Sequence, residues 1–229
     1  MQTRCVMFDL DGTLVDSAPD IAISMNKMLE QLNLPTRSLV QVRDWIGNGA
    51  GRLIKRALTG QVEGEPPKEL FKQAHQLFFD IYEQHINVES AMYPGALEGL
   101  TILREQSYIL ACVTNKPRRF APPLLEALGI NHFFEYLICG DDLSIKKPDP
   151  QVLQTVLKQT NLSPLQAVMV GDSASDIKAA QSANMKSFCV SYGYNQLSGL
   201  EISQGKGVEA LGADYIIDSI AEVPQYLSG

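Results

Sequence analysis

Two aspartates one residue apart, Asp9 and Asp11, are followed by Gly12 and Thr13 at the end of the first apolar segment of the chain. If residues 4–8 form a strand, the side chains of both aspartates lie on the same face of it. Buried carboxylates without a partner are costly, so such a pair needs a cation, a proton or a solvated cleft. We therefore interpret the pair as a candidate site for acid–base, metal or phosphoryl chemistry rather than as an ordinary turn.

Further polar side chains follow other apolar segments that are typical of buried strands. Thr114 with Asn115 and Asp172 with Asp176 follow such segments, and Lys147, in front of a proline, precedes the predicted helix that leads to the strand at 167–171. In open parallel sheets the ligand crevice lies outside the carboxyl ends of the strands. We therefore expect these residues to converge on Asp9 and Asp11.

The elements that must position these residues alternate between strand and helix over most of the chain. Strands are predicted at 4–8, 108–114, 136–140, 167–171, 187–190 and 215–217, and helices at 96–105, 118–128, 151–159 and 175–183. This alternation predicts an α/β fold, with a Rossmann-like parallel sheet that helices cover on both faces.

A helical segment interrupts this pattern directly after the first strand. Apolar residues recur at helical spacing over 18–32 and 70–82, and shorter helices are predicted at 40–46 and 49–58. Ser17 followed by Asp20 is typical of a helix start. We expect an inserted α-helical cap at 16–87 on a catalytic core of 1–15 and 88–229, with hinges near 14–17 and 87–95.

Composition excludes several other classes of protein. The net charge is −7 and no block of like charge suggests a nucleic-acid partner. No apolar segment is long enough for a membrane span, and the first strand begins so near Met1 that we expect no signal peptide. The four widely spaced cysteines lack metal-binding spacing, so we predict buried free thiols and a cytoplasmic protein.

The motifs together resemble those of the haloacid dehalogenase superfamily, and within it the phosphatases similar to phosphoglycolate phosphatase. The matching motifs are DxDGT at 9–13, a strand-end Thr at Thr114, the Lys before Pro at Lys147, and GDSxxD at 171–176. The resemblance extends over essentially the whole chain, and the helical insert occupies the usual position of the cap.

The resemblance implies hydrolysis of a small phosphate monoester, with 2-phosphoglycolate as the expected substrate and Mg²⁺ as cofactor. Asp9 would attack phosphorus and Asp11 would serve as general acid and then base, while Lys147 would hold Asp9 and the phosphate together. Thr114 and the backbone of Asn115 would donate to phosphate oxygens.

The same resemblance implies a set of metal ligands. Asp9, the backbone carbonyl of Asp11, and Asp172 would bind Mg²⁺, with Thr13 and Asp176 in support. Oxygen ligands of this kind suit Mg²⁺, and a cation relieves the repulsion between the carboxylates and a phosphate dianion.

The cap contains one feature that could bind a substrate, a Gly-rich turn that opens a helix. It includes Asn48 and Gly49, with Arg52 in the first helical turn. The turn could serve only to start the helix. The alternative is that its exposed N–H groups, together with Arg52, bind a substrate carboxylate, because a helix N-terminus binds anions.

Two alternative functions stay open at this point. A sugar-phosphate mutase similar to β-phosphoglucomutase keeps both aspartates and differs in protecting its aspartyl-phosphate from water. A phospho-accepting signalling domain also combines Asp, Thr, Lys and Mg²⁺, although its acceptor follows the third strand. We expect a monomer or a homodimer whose partner is a small phosphorylated metabolite.

Overall fold

The computed structural model describes residues 2–194 and 208–227, except for the side chain of residue 210. Its strands are β1 (Cys5–Phe8), β2 (Val15–Asp16), β3 (Ala91–Met92), β4 (Ile109–Val113), β5 (Tyr136–Ile138), β6 (Ala167–Gly171), β7 (Lys186–Val190) and β8 (Tyr215–Ile217). Its helices are α1 (Ala18–Gln31), α2 (Leu39–Trp45), α3 (Ala50–Thr59), α4 (Lys68–Glu83), α5 (Ala96–Glu105), α6 (Ala121–Ala127), α7 (Gln151–Thr160), α8 (Ala174–Ser182) and α9 (Val223–Leu227).

Six strands form one parallel sheet in the order β5-β4-β1-β6-β7-β8. The chain runs outward from β1 to β5 and then returns to the other side of β1, which therefore lies at the switch point of the sheet. Phe8 is in register with Cys112 of β4 and with Val170 of β6. The residues that follow these three strands consequently emerge side by side, and the predicted Rossmann-like fold is confirmed.

Both faces of the sheet are covered, as a parallel sheet requires. Val6 and Phe8 of β1 lie in an apolar cluster with residues of α5 and α9, whereas Cys5 and Met7 lie in a second cluster with residues of α7 and α8. The alternation of side chains along the strand places successive residues on opposite faces. The carboxyl edge of the sheet, where the polar residues emerge, is thus held between two packed layers.

Helices α1 to α4 form a separate apolar cluster above the carboxyl ends of the strands. The cluster includes Trp45, Phe78 and Tyr82 of these helices, and also Phe120 and Tyr194 from the loops of the sheet domain. The helical part of the cap therefore packs directly on the edge where the polar residues converge.

The two segments that connect the cap to the core form short antiparallel strands, β2 and β3, which pair with each other. Sequence patterns did not predict them. Val15 of β2 is in register with Met92 of β3, and Asp16 with Ala91. Each strand has two residues, too few for an alternating pattern of apolar and polar residues. The predicted hinge segments coincide with this paired stem.

Helix α1 begins at Ala18, where Ser17 and Asp20 predict its start, but these side chains do not form the expected capping hydrogen bonds. The Ser17 side chain makes no capping hydrogen bond to α1 and donates instead to Oδ1 of Asp11 at 2.5 Å. The Asp20 carboxylate accepts from the backbone N–H groups of Val88, Glu89 and Ser90 at 2.8–3.1 Å. Asp20 thus ties the first cap helix to the chain that returns to the core.

Helix α6 begins at Ala121, three residues later than predicted. The backbone N–H of Arg118 donates to Asp141 at 2.7 Å, and its guanidinium group contacts the carboxylate of Asp142. These contacts hold residue 118 in the loop after β4, where it cannot start a helix.

All four cysteines are buried free thiols, as predicted. Within residues 2–194 and 208–227, none of the helices is long and apolar enough to cross a membrane.

Candidate active site

Asp9 follows β1 directly and is 6% exposed. Its Oδ1 accepts from the backbone N–H of Leu10 at 2.7 Å and lies 3.0 Å from Nζ of Lys147. Burial raises the pKa of Asp9 to about 6, with Lys147 lowering it and Asp176 raising it. The lysine charge therefore offsets part of the cost of a buried carboxylate.

Lys147 joins two of the predicted site residues. Its Nζ lies 2.6 Å from Oδ1 of Asp176 as well as 3.0 Å from Asp9, and the side chain is almost fully buried. Burial by itself lowers the pKa of Lys147, but the charges of Asp176 and Asp9 outweigh it and raise the pKa above its ordinary value. Lys147 is thus a fixed positive charge within the site.

Asp176 is held by the start of α8. Its Oδ2 accepts from the backbone N–H of Ser173 at 3.1 Å and from the Ser173 hydroxyl at 2.7 Å. This capping arrangement at the helix N-terminus orients the carboxylate toward Lys147. Asp176 therefore supports the site from a rigid element.

Asp9, Asp172 and Asp176 form a buried cluster in which one carboxylate oxygen from each residue lies within 4.8 Å of those from the other two. Burial raises the pKa of Asp172 well above its ordinary value, and the nearby charges of Asp176 and Asp9 raise it further. A divalent cation would offset both the burial of these carboxylates and the repulsion between them, and this oxygen-only donor set suits Mg²⁺. The residues present therefore fit the cation that the motifs imply.

Asp172 is positioned by close contacts around Gly12. Its Oδ1 accepts from the Thr13 hydroxyl at 3.2 Å and its Oδ2 accepts from the Tyr194 backbone N–H at 2.7 Å. Gly12 has a φ of 87°, and a Cβ there would lie 2.5 Å from Oδ2 of Asp172. A side chain at this position is therefore incompatible with both the backbone conformation and the carboxylate.

Thr114 and Asn115 follow β4 beside Asp9, as predicted. The Thr114 hydroxyl accepts from the backbone N–H of Lys116 at 3.1 Å, and a hydroxyl that accepts can still donate its own hydrogen to a substrate oxygen. The Asn115 side chain donates to the Gly47 carbonyl at 2.8 Å and accepts from the Lys147 N–H at 3.1 Å. Asn115 therefore joins the core, the cap and the loop of Lys147.

Asp11 lies apart from the carboxylate cluster, against a lysine that sequence reasoning missed. Nζ of Lys116 lies 3.0 and 3.2 Å from the two carboxylate oxygens of Asp11, and 2.7 Å from the hydroxyl of Tyr82 in the cap. The signal for Lys116 was its place directly after Thr114 and Asn115. Its partners are far away in sequence, and no spacing rule connects them.

The cap and the core enclose a cavity of about 40 Å³ next to Asp9 and Asp11. Its polar wall includes Thr114, Asn115 and Lys116, and its cap wall is largely apolar, formed by Ile21, Ile46, Leu53 and Phe78. A small substrate would consequently be shielded from bulk water when the cap is closed.

Of the predicted cap residues, Gly49 lines this cavity, whereas Asn48 and Arg52 are not among its lining residues. The Arg52 guanidinium group pairs with Glu63 and lies 3.3 Å from Glu65 within the cap. Two acidic partners hold Arg52 away from the substrate space in this structure. Its role in binding a substrate carboxylate stays a prediction.

Comparison with known proteins agrees with this geometry. The model of the family described as haloacid dehalogenase-like hydrolase matches residues 6–190. A protein named phosphoglycolate phosphatase from Nitrosococcus oceani is 44% identical over 99% of this chain and 97% of its own length. One of the same name from Nitrosospira multiformis is 40% identical over 98% of this chain and 95% of its own length.

A solved structure shows the same arrangement of elements. The crystal structure of a predicted phosphoglycolate phosphatase from Haemophilus somnus superposes with a TM-score of 0.89 at 36% identity. The match covers 99% of this chain and 98% of that one. With the motifs gathered at the carboxyl edge of the sheet beneath a helical cap, this chain belongs to the haloacid dehalogenase-like hydrolase family, as one of its phosphatases.

Proposed function

We propose that this protein hydrolyses 2-phosphoglycolate to glycolate and phosphate through an aspartyl-phosphate on Asp9, with Mg²⁺ as cofactor. The observation that carries the proposal is the buried Asp9 carboxylate, held by Lys147 at 3.0 Å and facing a cavity that the cap closes. The names of relatives that are 40–44% identical over nearly the full length support the choice of substrate.

Asp9 is placed to act as the nucleophile. Its Oδ1 is fixed by Leu10 and Lys147, so the carboxylate has a defined orientation when a phosphate enters. An Asp9 oxygen forms a bond to phosphorus, and the bond between phosphorus and the ester oxygen breaks. Thr114 and the backbone N–H of Asn115 donate to the phosphate oxygens as negative charge develops.

Asp11 carries the proton in both halves of the reaction. In the first half it donates a proton to the departing glycolate oxygen. In the second half it accepts a proton from the water that attacks the phosphorus of the aspartyl-phosphate, which releases phosphate and restores Asp9. The bond from Ser17 to Asp11 holds the carboxylate at the boundary between core and cap.

Mg²⁺ would be held by Asp9, Asp172 and the backbone carbonyl of Asp11, with Asp176 and Thr13 orienting these groups. When bound, it supplies positive charge that lowers the repulsion between the phosphate and the carboxylates. Lys147 and the N–H groups after β1 add fixed positive potential on the same side.

Four buried free thiols are typical of proteins in a reducing compartment, and on that ground we propose a cytoplasmic location.

The experiment that tests the function is phosphate release with Mg²⁺ and with EDTA. The substrate panel is 2-phosphoglycolate, ethyl phosphate, an aryl phosphate, sugar phosphates and pyrophosphate. We expect turnover that requires Mg²⁺, with the largest kcat/KM for 2-phosphoglycolate. Release from no member of the panel, together with conversion of a sugar 1-phosphate to its isomer, would replace hydrolysis by the mutase alternative.

A further inference from the structure

Lys116 is a buried lysine between the two domains that the proposed reaction does not use. It follows β4 in the core, is 5% exposed, and contacts Asp11 of the core and Tyr82 of the cap. Its Nζ also lies 4.8 Å from the centre of the Tyr82 ring, within the range of a cation–π contact. Burying a lysine requires such partners, and both of them border the cavity.

Lys116 is also the cation that faces the cavity. Among the described lining residues the charged ones are Asp9, Asp11 and Lys116. Lys147 does not line the cavity and is already paired with Asp9 and Asp176. Lys116 is paired as well, with Asp11 and Tyr82, but both of these partners border the cavity. Because the cap wall is largely apolar, an anionic group on the organic part of a substrate has Lys116 as its positive partner there.

The position of Asp11 relates Lys116 to a particular part of the substrate. If Asp11 protonates the ester oxygen, that oxygen lies within hydrogen-bond distance of the Asp11 carboxylate. In 2-phosphoglycolate the carboxylate carbon is one methylene from the ester oxygen, about 2.4 Å away at ordinary bond lengths and angles. Nζ of Lys116, at 3.0–3.2 Å from the Asp11 oxygens, is within reach of a carboxylate at that place.

We propose that Lys116 is the residue that selects substrates bearing a carboxylate one methylene from the phosphate ester oxygen, by binding that carboxylate when the cap is closed. The proposal rests on the phosphatase function proposed above. Tyr82 holds the ammonium group from the cap side at 2.7 Å, so the binding group is assembled from both domains. A closed cap is thereby required for recognition as well as for excluding water.

A purely structural role makes a different prediction. If Lys116 only positions Asp11, its removal slows hydrolysis of every monoester that needs Asp11 as acid, regardless of the leaving group. If Lys116 binds the substrate carboxylate, its removal lowers kcat/KM for 2-phosphoglycolate far more than for an ester without that carboxylate. Ethyl phosphate is the matched ester, because a methyl group stands where 2-phosphoglycolate has its carboxylate.

The test measures kcat/KM for both esters in the wild-type protein and in Lys116→Met, whose side chain is of similar length and uncharged. We expect the ratio of 2-phosphoglycolate to ethyl phosphate to fall about 100-fold, the usual effect of losing a hydrogen bond between charged groups. Lys116→Arg keeps the positive charge, so its ratio of kcat/KM for 2-phosphoglycolate to kcat/KM for ethyl phosphate should stay close to that of the wild type. Lys158→Met is the control, because Lys158 is exposed on α7 and is not among the residues that line the cavity, and the change in net charge is identical.

Binding provides a second readout that does not depend on turnover. In an Asp9→Asn background, calorimetry with each ester should show that Lys116→Met raises the Kd of 2-phosphoglycolate about 100-fold and that of ethyl phosphate by less than about threefold. Tyr82→Phe should also raise the Kd of 2-phosphoglycolate relative to that of ethyl phosphate, by a smaller factor.

Equal losses for both esters would overturn the proposal and leave Lys116 as a positioning residue for Asp11. A wild-type enzyme that hydrolyses both esters equally well would also overturn it, while the phosphatase function would stand. Failure of the wild type to release phosphate from any ester would instead refute the proposed function. Urea unfolding of Lys116→Met shows whether this variant is folded. If it is not, Lys116→Arg, which keeps the positive charge, provides the test of that charge.

Discussion

Tyr194 binds the metal-site residue Asp172 with its backbone and the cap connection with its side chain. Its N–H donates to Oδ2 of Asp172 at 2.7 Å. Its phenolic oxygen accepts from the backbone N–H groups of Ser17 and Ala18 at 2.9 Å and lies 3.0 Å from Oδ1 of Asp16. One residue thereby joins the catalytic edge of the sheet to the first residues of the cap.

Tyr194→Phe should destabilise the protein by about 1–3 kcal/mol, because the buried N–H of Ser17 loses its acceptor. The bond to Asp172 comes from the backbone and is retained. Urea unfolding measures the change in the free energy of unfolding. Tyr192→Phe is the control: its hydroxyl donates to the Thr13 carbonyl at 2.8 Å in a partly buried position, so we expect a smaller loss. Equal losses would show that Tyr194 has no special role in this connection.

Asp20→Ala should lower the free energy of unfolding more than a typical substitution in a helix does. The fully buried carboxylate accepts from three backbone N–H groups at residues 88–90, and alanine leaves all three without it. We expect a loss of about 3 kcal/mol or more in urea unfolding, and faster hydrogen exchange at those amides. Asp20→Asn keeps one acceptor oxygen and should lie between the wild type and Asp20→Ala. Unchanged exchange at residues 88–90 would contradict this role.

Asp9→Asn and Asp11→Asn should affect different parts of the reaction, formation of the aspartyl-phosphate and proton transfer respectively. Without the Asp9 carboxylate no aspartyl-phosphate forms, so turnover should disappear. Asp11→Asn removes the proton donor and should lower kcat by about 10²–10⁴. Rapid-quench experiments with a radiolabelled aryl phosphate, whose leaving group departs without a proton from Asp11, would detect label on the Asp11→Asn protein and none on the Asp9→Asn protein. Full activity of Asp9→Asn would exclude the mechanism.

Mg²⁺ should raise the melting temperature, since it binds the folded cluster of Asp9, Asp172 and Asp176 and not the unfolded chain. At about 100 times its Kd the gain is about 2.7 kcal/mol, or about 5–10 °C for a chain of this size. EDTA should abolish the increase, and Asp172→Asn should reduce it. Asp44→Asn, an exposed site on α2, is the control. An undiminished increase in Asp172→Asn would place the metal elsewhere.

Stability should fall in alkaline solution because of the buried thiols. Burial raises the pKa of Cys5 and of Cys139 to about 12 from an ordinary value of 9.0. Between these values the unfolded chain loses protons that the folded chain keeps, so stability is full below pH 9 and declines above it. Each thiol should contribute a loss of about 1.4 kcal/mol between pH 8 and pH 10.

Urea unfolding at the two pH values measures this loss, and Cys5→Ala removes one of the four buried thiols whose pKa is raised. The pH-dependent loss in Cys5→Ala should therefore be smaller than in the wild type by about 1.4 kcal/mol. An identical loss in both proteins would show that Cys5 does not contribute.

Much of the site could be predicted because three of its motifs lie directly after strands. Asp9, Thr114 and Asp172 follow three neighbouring strands, so a parallel sheet brings them together whatever the details of packing. Lys147 was harder to place from spacing alone, and the resemblance to a known family supplied its role. The structure confirms that it lies between Asp9 and Asp176.

The residues that sequence reasoning missed depend on contacts between distant parts of the chain. Lys116 pairs with Asp11 across 105 positions, and Tyr194 bonds to Ala18 across 176. No period or short motif encodes such distances, since they follow from how the cap packs on the core. For the same reason the contacts of Arg52 with Glu63 and Glu65 within the cap were not foreseen, and its role in binding a substrate carboxylate stays a prediction.

The pairing of β2 with β3 has a consequence for how such a protein can change. Since Asp16 and Ala91 are partners in register, the polypeptide departs from the sheet domain and re-enters it at adjacent points. A short turn of about two residues would suffice to connect them, as in an ordinary hairpin. Closing a longer segment between the same two points adds little entropic cost. The intervening helices are therefore an exchangeable module: lineages can replace them to admit different molecules while Asp9 and its strand stay where they are.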